Sequence, residues 1–147
     1  MSAAKITEKD IRLYIMDKPE LNPLLRGVRF NAEEIDAALI HCVDYFNIAS
    51  PPTTAQYTIE SFPFRYIMLA GVAGHLLRGA AVNEASNQLT YSLDGIQVSD
   101  KDKAEIFTRL GVQFWEEFKE MVRDIKLNQN IAAAFGSTCS EYIYLAR

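Results

Sequence analysis

Apolar positions in this chain recur mostly at helical spacing, and prolines and capping residues divide them into four runs. Residues 7–17, TEKDIRLYIMD, predict a short helix with Thr7 as N-cap and Asp10 at the capping-box position. Pro19 and Pro23 break it and leave a linker to residue 30. NAEEIDAALIHCVDYFN, 31–47, predicts a second helix capped by Asn31 with Glu34 three residues on, its core face at Ile35, Leu39, Cys42, Val43 and Phe46. Pro51 and Pro52 stop it. A third helix is expected from Ser61 or Phe62 to Val82, with Pro63 in its first turn. Its middle holds Gly71, Gly74 and Gly79 among several alanines. Each glycine costs about 1 kcal/mol of helix stability against alanine. The run therefore implies close backbone approach, against helices two and four or against another subunit.

The period then changes. QLTYSL, 88–93, alternates Leu89, Tyr91 and Leu93 with polar residues, and IQVS, 96–99, returns with Ile96 and Val98 on one face. Asp94-Gly95 between them is the signature of a two-residue hairpin turn. Two strands alone are marginal in water, so their apolar face needs a cover. Ser99 caps a fourth helix, expected over 100–127, with Ile106, Leu110, Phe114, Phe118, Met121, Val122 and Ile125 as its core stripe and Gly111 as a point of bending. The remaining 129–147 reads as an extended tail in which Phe135 and the β-prone Tyr142, Ile143, Tyr144 and Leu145 seek a partner. The fold class expected is mainly α: one four-helix bundle-like domain over 1–147, with an N-terminal helix and linker at 1–30, a helical core at 31–128 that carries a hairpin at 88–99 between the third and fourth helices, and an extended C-terminal tail at 129–147.

Charge changes the picture at one point. Of 34 formal charges, residues 37–98 carry six: Asp44, Glu60, Arg65, Arg78, Glu84 and Asp94. Depleted charge with retained tyrosine is the composition of interface cores, and of ordinary cores too. The net charge of −4 and the absence of a basic tract argue against a surface that grips phosphates. Cys42 and Cys139 lie far apart without CxxC spacing, so two reduced thiols are expected rather than a disulfide or zinc site. The N-terminus lacks the apolar core of a signal peptide, and no run reaches the ~20 apolar residues of a membrane span, so a soluble chain is expected.

Candidate chemistry is sparse. Phosphate loops, HExxH and GxSxG are absent. His41 and Cys42 are neighbours on one helix and point to different sides, so they do not form a nucleophile–base pair. Carboxylate pairs such as Glu33–Glu34 and Glu116–Glu117 fall at helix starts or on charged faces. No catalytic residue, cofactor or metal is expected.

The order of elements, together with VDYFNIASPP, FPFRYIMLAGVAGHLL and NQLTYSLDGIQVSDKDKAEIF, resembles the head–tail connector proteins of tailed bacteriophages, also called adaptor, neck or head-completion proteins. The resemblance spans residues 31–128, and the segment 1–30 has no counterpart in it. It implies a non-enzymatic subunit of a ring, commonly twelve-fold, in the virion neck. Such a ring sits under the portal protein, meets a downstream neck or tail protein, and lets genomic DNA pass through its lumen without sequence-specific binding. Assembly would take place in the host cytoplasm, with no membrane partner. By carry-over, Leu89, Tyr91, Leu93, Asp94, Gly95, Ile96 and Val98, with Phe135 and Tyr142–Leu145, would contact neighbours. A tail terminator, baseplate or capsid-associated subunit, and a small helical cellular enzyme or regulator, remain alternatives.

Overall fold

The computed structural model describes residues 6–22, 25, 27–87, 90–93, 96–99 and 101–135. The fold is mainly α. Helix α1 spans Glu8–Tyr14, and a single 3-10 turn follows at Pro19–Leu21. Helices α2 (Ala32–Ile48), α3 (Arg65–Ser86) and α4 (Lys101–Phe135) build the body. Between α3 and α4 the backbone of Thr90–Leu93 runs antiparallel to Ile96–Ser99, pairing Tyr91 with Val98 and Leu93 with Ile96.

Local chemistry sets the first two helix starts. The Thr7 hydroxyl accepts from the Asp10 amide at 3.3 Å, and the Asp10 carboxylate accepts from the Thr7 amide at 2.9 Å. Asn31 and Glu34 close the same reciprocal pair, both bonds 2.7 Å long. Each arrangement satisfies amides that the first helical turn leaves without partners.

Helix α3 is the centre. Its glycines answer the question the sequence leaves open at two positions. A Cβ on Gly71 would meet the Phe118 ring at 2.8 Å and the Cys42 sulfur at 2.9 Å. A Cβ on Gly74 would meet the Trp115 amide nitrogen at 2.8 Å. Helix α4 answers with Gly111, where a Cβ would lie 2.9 Å from the Arg78 amide nitrogen. These contacts run in opposite order along α3 and α4, so the two helices are antiparallel. Cys42 beside Gly71 and His41 beside His75 set α2 antiparallel to α3 as well. Gly79 differs, since a Cβ there meets nothing within 4 Å.

Several expected boundaries move. Helix α3 begins at Arg65, not at Ser61 or Phe62, and Pro63 stands outside it. Thr58 and Ser61 bond to each other in a turn, and Phe62 and Phe64 are drawn into a ring cluster with Phe46 and Tyr57, edge-on except where Phe64 stacks on Phe46. Helix α4 continues through Phe135 instead of yielding to an extended tail at 129. Ala132, Ala133 and Ala134 are strong helix formers. Gln129 and Asn130 also tie that turn to the Tyr57 hydroxyl and the Pro52 carbonyl. Gly111 is packed against Arg78 within an unbroken helix. The expected stripe on α4 holds in its second half, where Phe118 and Val122 are buried and Met121 and Ile125 pack against the core, but fails in its first half, where Ile106 and Leu110 are exposed and Ala104 is buried.

Candidate functional site

Four groups with chemical potential lie in the body, and none converges on a reaction. The Cys42 thiol is buried between α2 and α3, and burial pushes its pKa up to about 12. It stays protonated and is a poor nucleophile. His41 turns away from it and stacks on His75 of α3, ring centroids 4.9 Å apart and planes 31° from parallel. Burial, with His41 and Arg78 close by, lowers the His75 pKa. Arg78 in turn lies over the Trp115 ring at 5.7 Å. Among the described residues no three His, Cys, Asp or Glu side chains could hold a metal.

A shallow groove of about 370 Å³ beside His75 is lined by Arg29, Glu34, Leu76 and Asn83. Arg29 is already committed there, paired with Glu84 at 2.7 Å and lying over the Phe107 ring at 4.8 Å. The groove thus lacks a free cation to hold an anion.

Two buried charged groups are structural, and neither was anticipated from the sequence. Asp17, 5% exposed, accepts from the Arg12 guanidinium (2.9 Å), the Asn22 side-chain amide (2.7 Å) and the backbone amides of Arg29 (2.7 Å) and Phe30 (3.1 Å). It folds the segment after α1 back onto the start of α2. Lys126 donates to the Ala49 carbonyl at 2.5 Å and sits 5.3 Å from the Phe46 ring centre. It thereby caps the carbonyl end of α2 from α4. Burial holds its pKa below the usual lysine range.

The surface carries more information than the interior. Leu13, Met16, Leu21 and Val28 of the N-terminal segment are exposed, as are Leu127, Ile131 and Phe135 at the end of α4. The last three follow at four-residue steps and share one face. Of the expected contact residues, Phe135 is 77% exposed at the end of α4. Tyr91, Leu93, Ile96 and Val98 are in the paired segments. Leu89, Asp94, Gly95 and Tyr142–Leu145 lie outside the described residues. Met16 was missed because its signal is conformational: it is a non-glycine residue at φ 57°, a backbone region such residues rarely occupy.

No protein-family model matches the chain, and no curated protein or solved structure matches it either. No helix among the described residues is long and apolar enough to cross a membrane.

Proposed function

We propose that the protein is a non-enzymatic structural subunit of a tailed-bacteriophage virion, a head–tail connector that forms a ring under the portal and extends the DNA channel toward the tail. One observation carries the reading. The described surface leaves large apolar side chains uncovered at several places, among them the N-terminal segment and the end of α4, with Ile48, Val82 and Val112 exposed elsewhere on the body. The nine residues Leu127–Phe135 carry no charge at all. Exposed apolar area of this kind marks association. Two different sticky places on one subunit suit a head-to-tail contact repeated until a ring closes. In this reading the Leu89–Val98 hairpin and the tail after Phe135 are further contacts, covered by a neighbour or by portal.

The test is the mass of the purified protein alone and mixed with a candidate portal ring, by light scattering and negative-stain imaging. The expected outcome is a ring, or a lower oligomer that becomes a ring on portal. A particle indifferent to portal that binds tail tube would move the protein elsewhere in the virion. A compact dimer indifferent to both would overturn a virion role.

A further inference from the structure

We infer that the groove built by α1 and the Asp17-clamped segment receives the outward face of the α4 end of a second copy, in a head-to-tail contact. This inference gives residues 1–30 a role and rests on the ring-forming reading above.

The receiving surface is a groove of about 560 Å³ lined by Leu13, Pro19 and Val28 among charged residues. Met16, 57% exposed, and Leu21 flank these residues in the chain. Asp17, which lines the groove, ties its wall together through four hydrogen bonds. Met16 is held in left-handed backbone geometry, and strain of that kind clusters where a side chain must be presented.

The inserting surface is the stripe of Leu127, Ile131 and Phe135. Stepping back by three and four residues along α4, the same face continues through Asp124 and Glu120. The opposite face of α4 buries Val122 and Lys126, so the stripe points away from its own body. Nor can it fold into its own groove. Tyr14 of α1 packs on Phe114, ring centroids 5.8 Å apart. Ile131 lies seventeen residues further along α4, about 25 Å at 1.5 Å per residue.

Charge selects the partner. Around the groove, Glu8 and Asp17 are both paired with Arg12. Lys9 and Lys18 have no ion-pair partner among the described residues, and neither do Glu120 and Asp124 on the stripe. One chain therefore supplies an apolar groove with two spare cations beside one spare anion, Glu20, and an apolar helix face with two spare anions. Two such faces packed in parallel would set Asp124 against Asp124, which opposes self-pairing of the stripes.

The test uses two variants that each block one surface. Met16→Asp places a charge beside the groove, on a residue type that tolerates left-handed geometry, and Ile131→Asp charges the exposed stripe. Circular dichroism and melting verify that both remain folded. By light scattering and native mass spectrometry the wild type is expected as a multimer and each variant as a monomer. An equimolar mixture is expected to yield a dimer with one copy of each, because each variant keeps the surface the other lacks. A wild type that stays monomeric at millimolar concentration, variants that stay multimeric, or a mixture that stays monomeric would overturn the contact. Binding of the wild type to portal, measured separately, decides the virion role, so the contact and that role can fail independently.

Discussion

Replacing Gly74 with alanine is expected to destabilise the protein, while the same change at Gly79, five residues on, is expected to stabilise it. Both changes remove a helix-interior glycine and so gain about 1 kcal/mol of helix propensity. They differ in what the new methyl meets. At Gly74 it would lie 2.8 Å from the Trp115 amide nitrogen, 3.1 Å from the Trp115 Cα and 3.2 Å from the Gly111 carbonyl oxygen. Ordinary contact begins at 3.4 Å. The nearest overlap is about half an ångström, and every one of these neighbours is α4 backbone, which cannot rotate away. Relief requires α3 and α4 to separate where Gly71 meets Phe118 and Gly111 meets Arg78. Gaps of 0.5–1 Å forfeit a quarter to a half of each contact's attraction. Overpacking of this kind costs about 3 kcal/mol at the upper end of the usual range. Offset by propensity, the net loss is about 2 kcal/mol, or roughly 4–8 °C in melting temperature for a domain of this size. At Gly79 nothing lies within 4 Å, so a gain of about 0.5–1 kcal/mol is expected. Urea titrations at one fixed protein concentration, followed by far-UV circular dichroism, would show the two midpoints moving in opposite directions at constant slope. A Gly74→Ala variant as stable as wild type would refute the close approach of α3 and α4, and a destabilised Gly79→Ala monomer would refute the open face.

Two further outcomes follow from the buried charges and the stacked rings. Asp17→Ala removes the shared acceptor of two side chains and two backbone amides, and should cost about 2–4 kcal/mol in thermal unfolding; a loss within 0.5 kcal/mol would show that the clamp is replaceable. His75 has its pKa lowered below 6.5 by burial and by nearby His41 and Arg78. The unfolded chain therefore takes up the proton first, and stability should be full above pH 6.5 and fall as pH drops through the lower folded value. The acid-side fall in the urea midpoint should shrink in His75→Gln; an unchanged profile would place the effect elsewhere.

Legibility in the sequence tracked the range of the interaction. The caps at Thr7 and Asn31 were legible because their partners, Asp10 and Glu34, sit three residues away. The buried face of α2 was legible because its period is unbroken from Ile35 to Phe46. Asp17 was not, since its partner amide at Phe30 is thirteen residues distant. Lys126 was still less so, with its carbonyl seventy-seven residues away. Along α4, Phe118 and Val122 were read correctly, but Ile106 and Leu110 were assigned inward only for being apolar. Gly111 and Ala104 on the buried side are small, so hydropathy pointed the wrong way there. The charge-poor stretch 37–98 is explained largely by α2 and α3, whose Cys42, Phe46, Met68, Val72 and Leu76 form the core. It cannot count as an interface signature in its own right.

The proposed association rests instead on a segment that hydropathy passes over. Helix α4 has thirty-five residues and α3, its main support, twenty-two. At 1.5 Å per residue the longer helix exceeds the shorter by about 20 Å, so α3 alone cannot flank it along its whole length. A helix meant for solvent would carry charge on the uncovered part. This one does so through Glu116, Glu117, Glu120 and Asp124, then changes to LNQNIAAAF. Ile131 and Phe135 on that stretch would each gain up to about 1.5–3 kcal/mol if fully covered, and the chain's own fold leaves that gain unused. The amide-rich residues between them, Gln129 and Asn130, face inward to Tyr57 and Pro52. The last turns of α4 are therefore fastened to the body on one side and apolar on the other. In the proposed contact such a helix end would meet a second copy already folded, which would keep the entropic cost low.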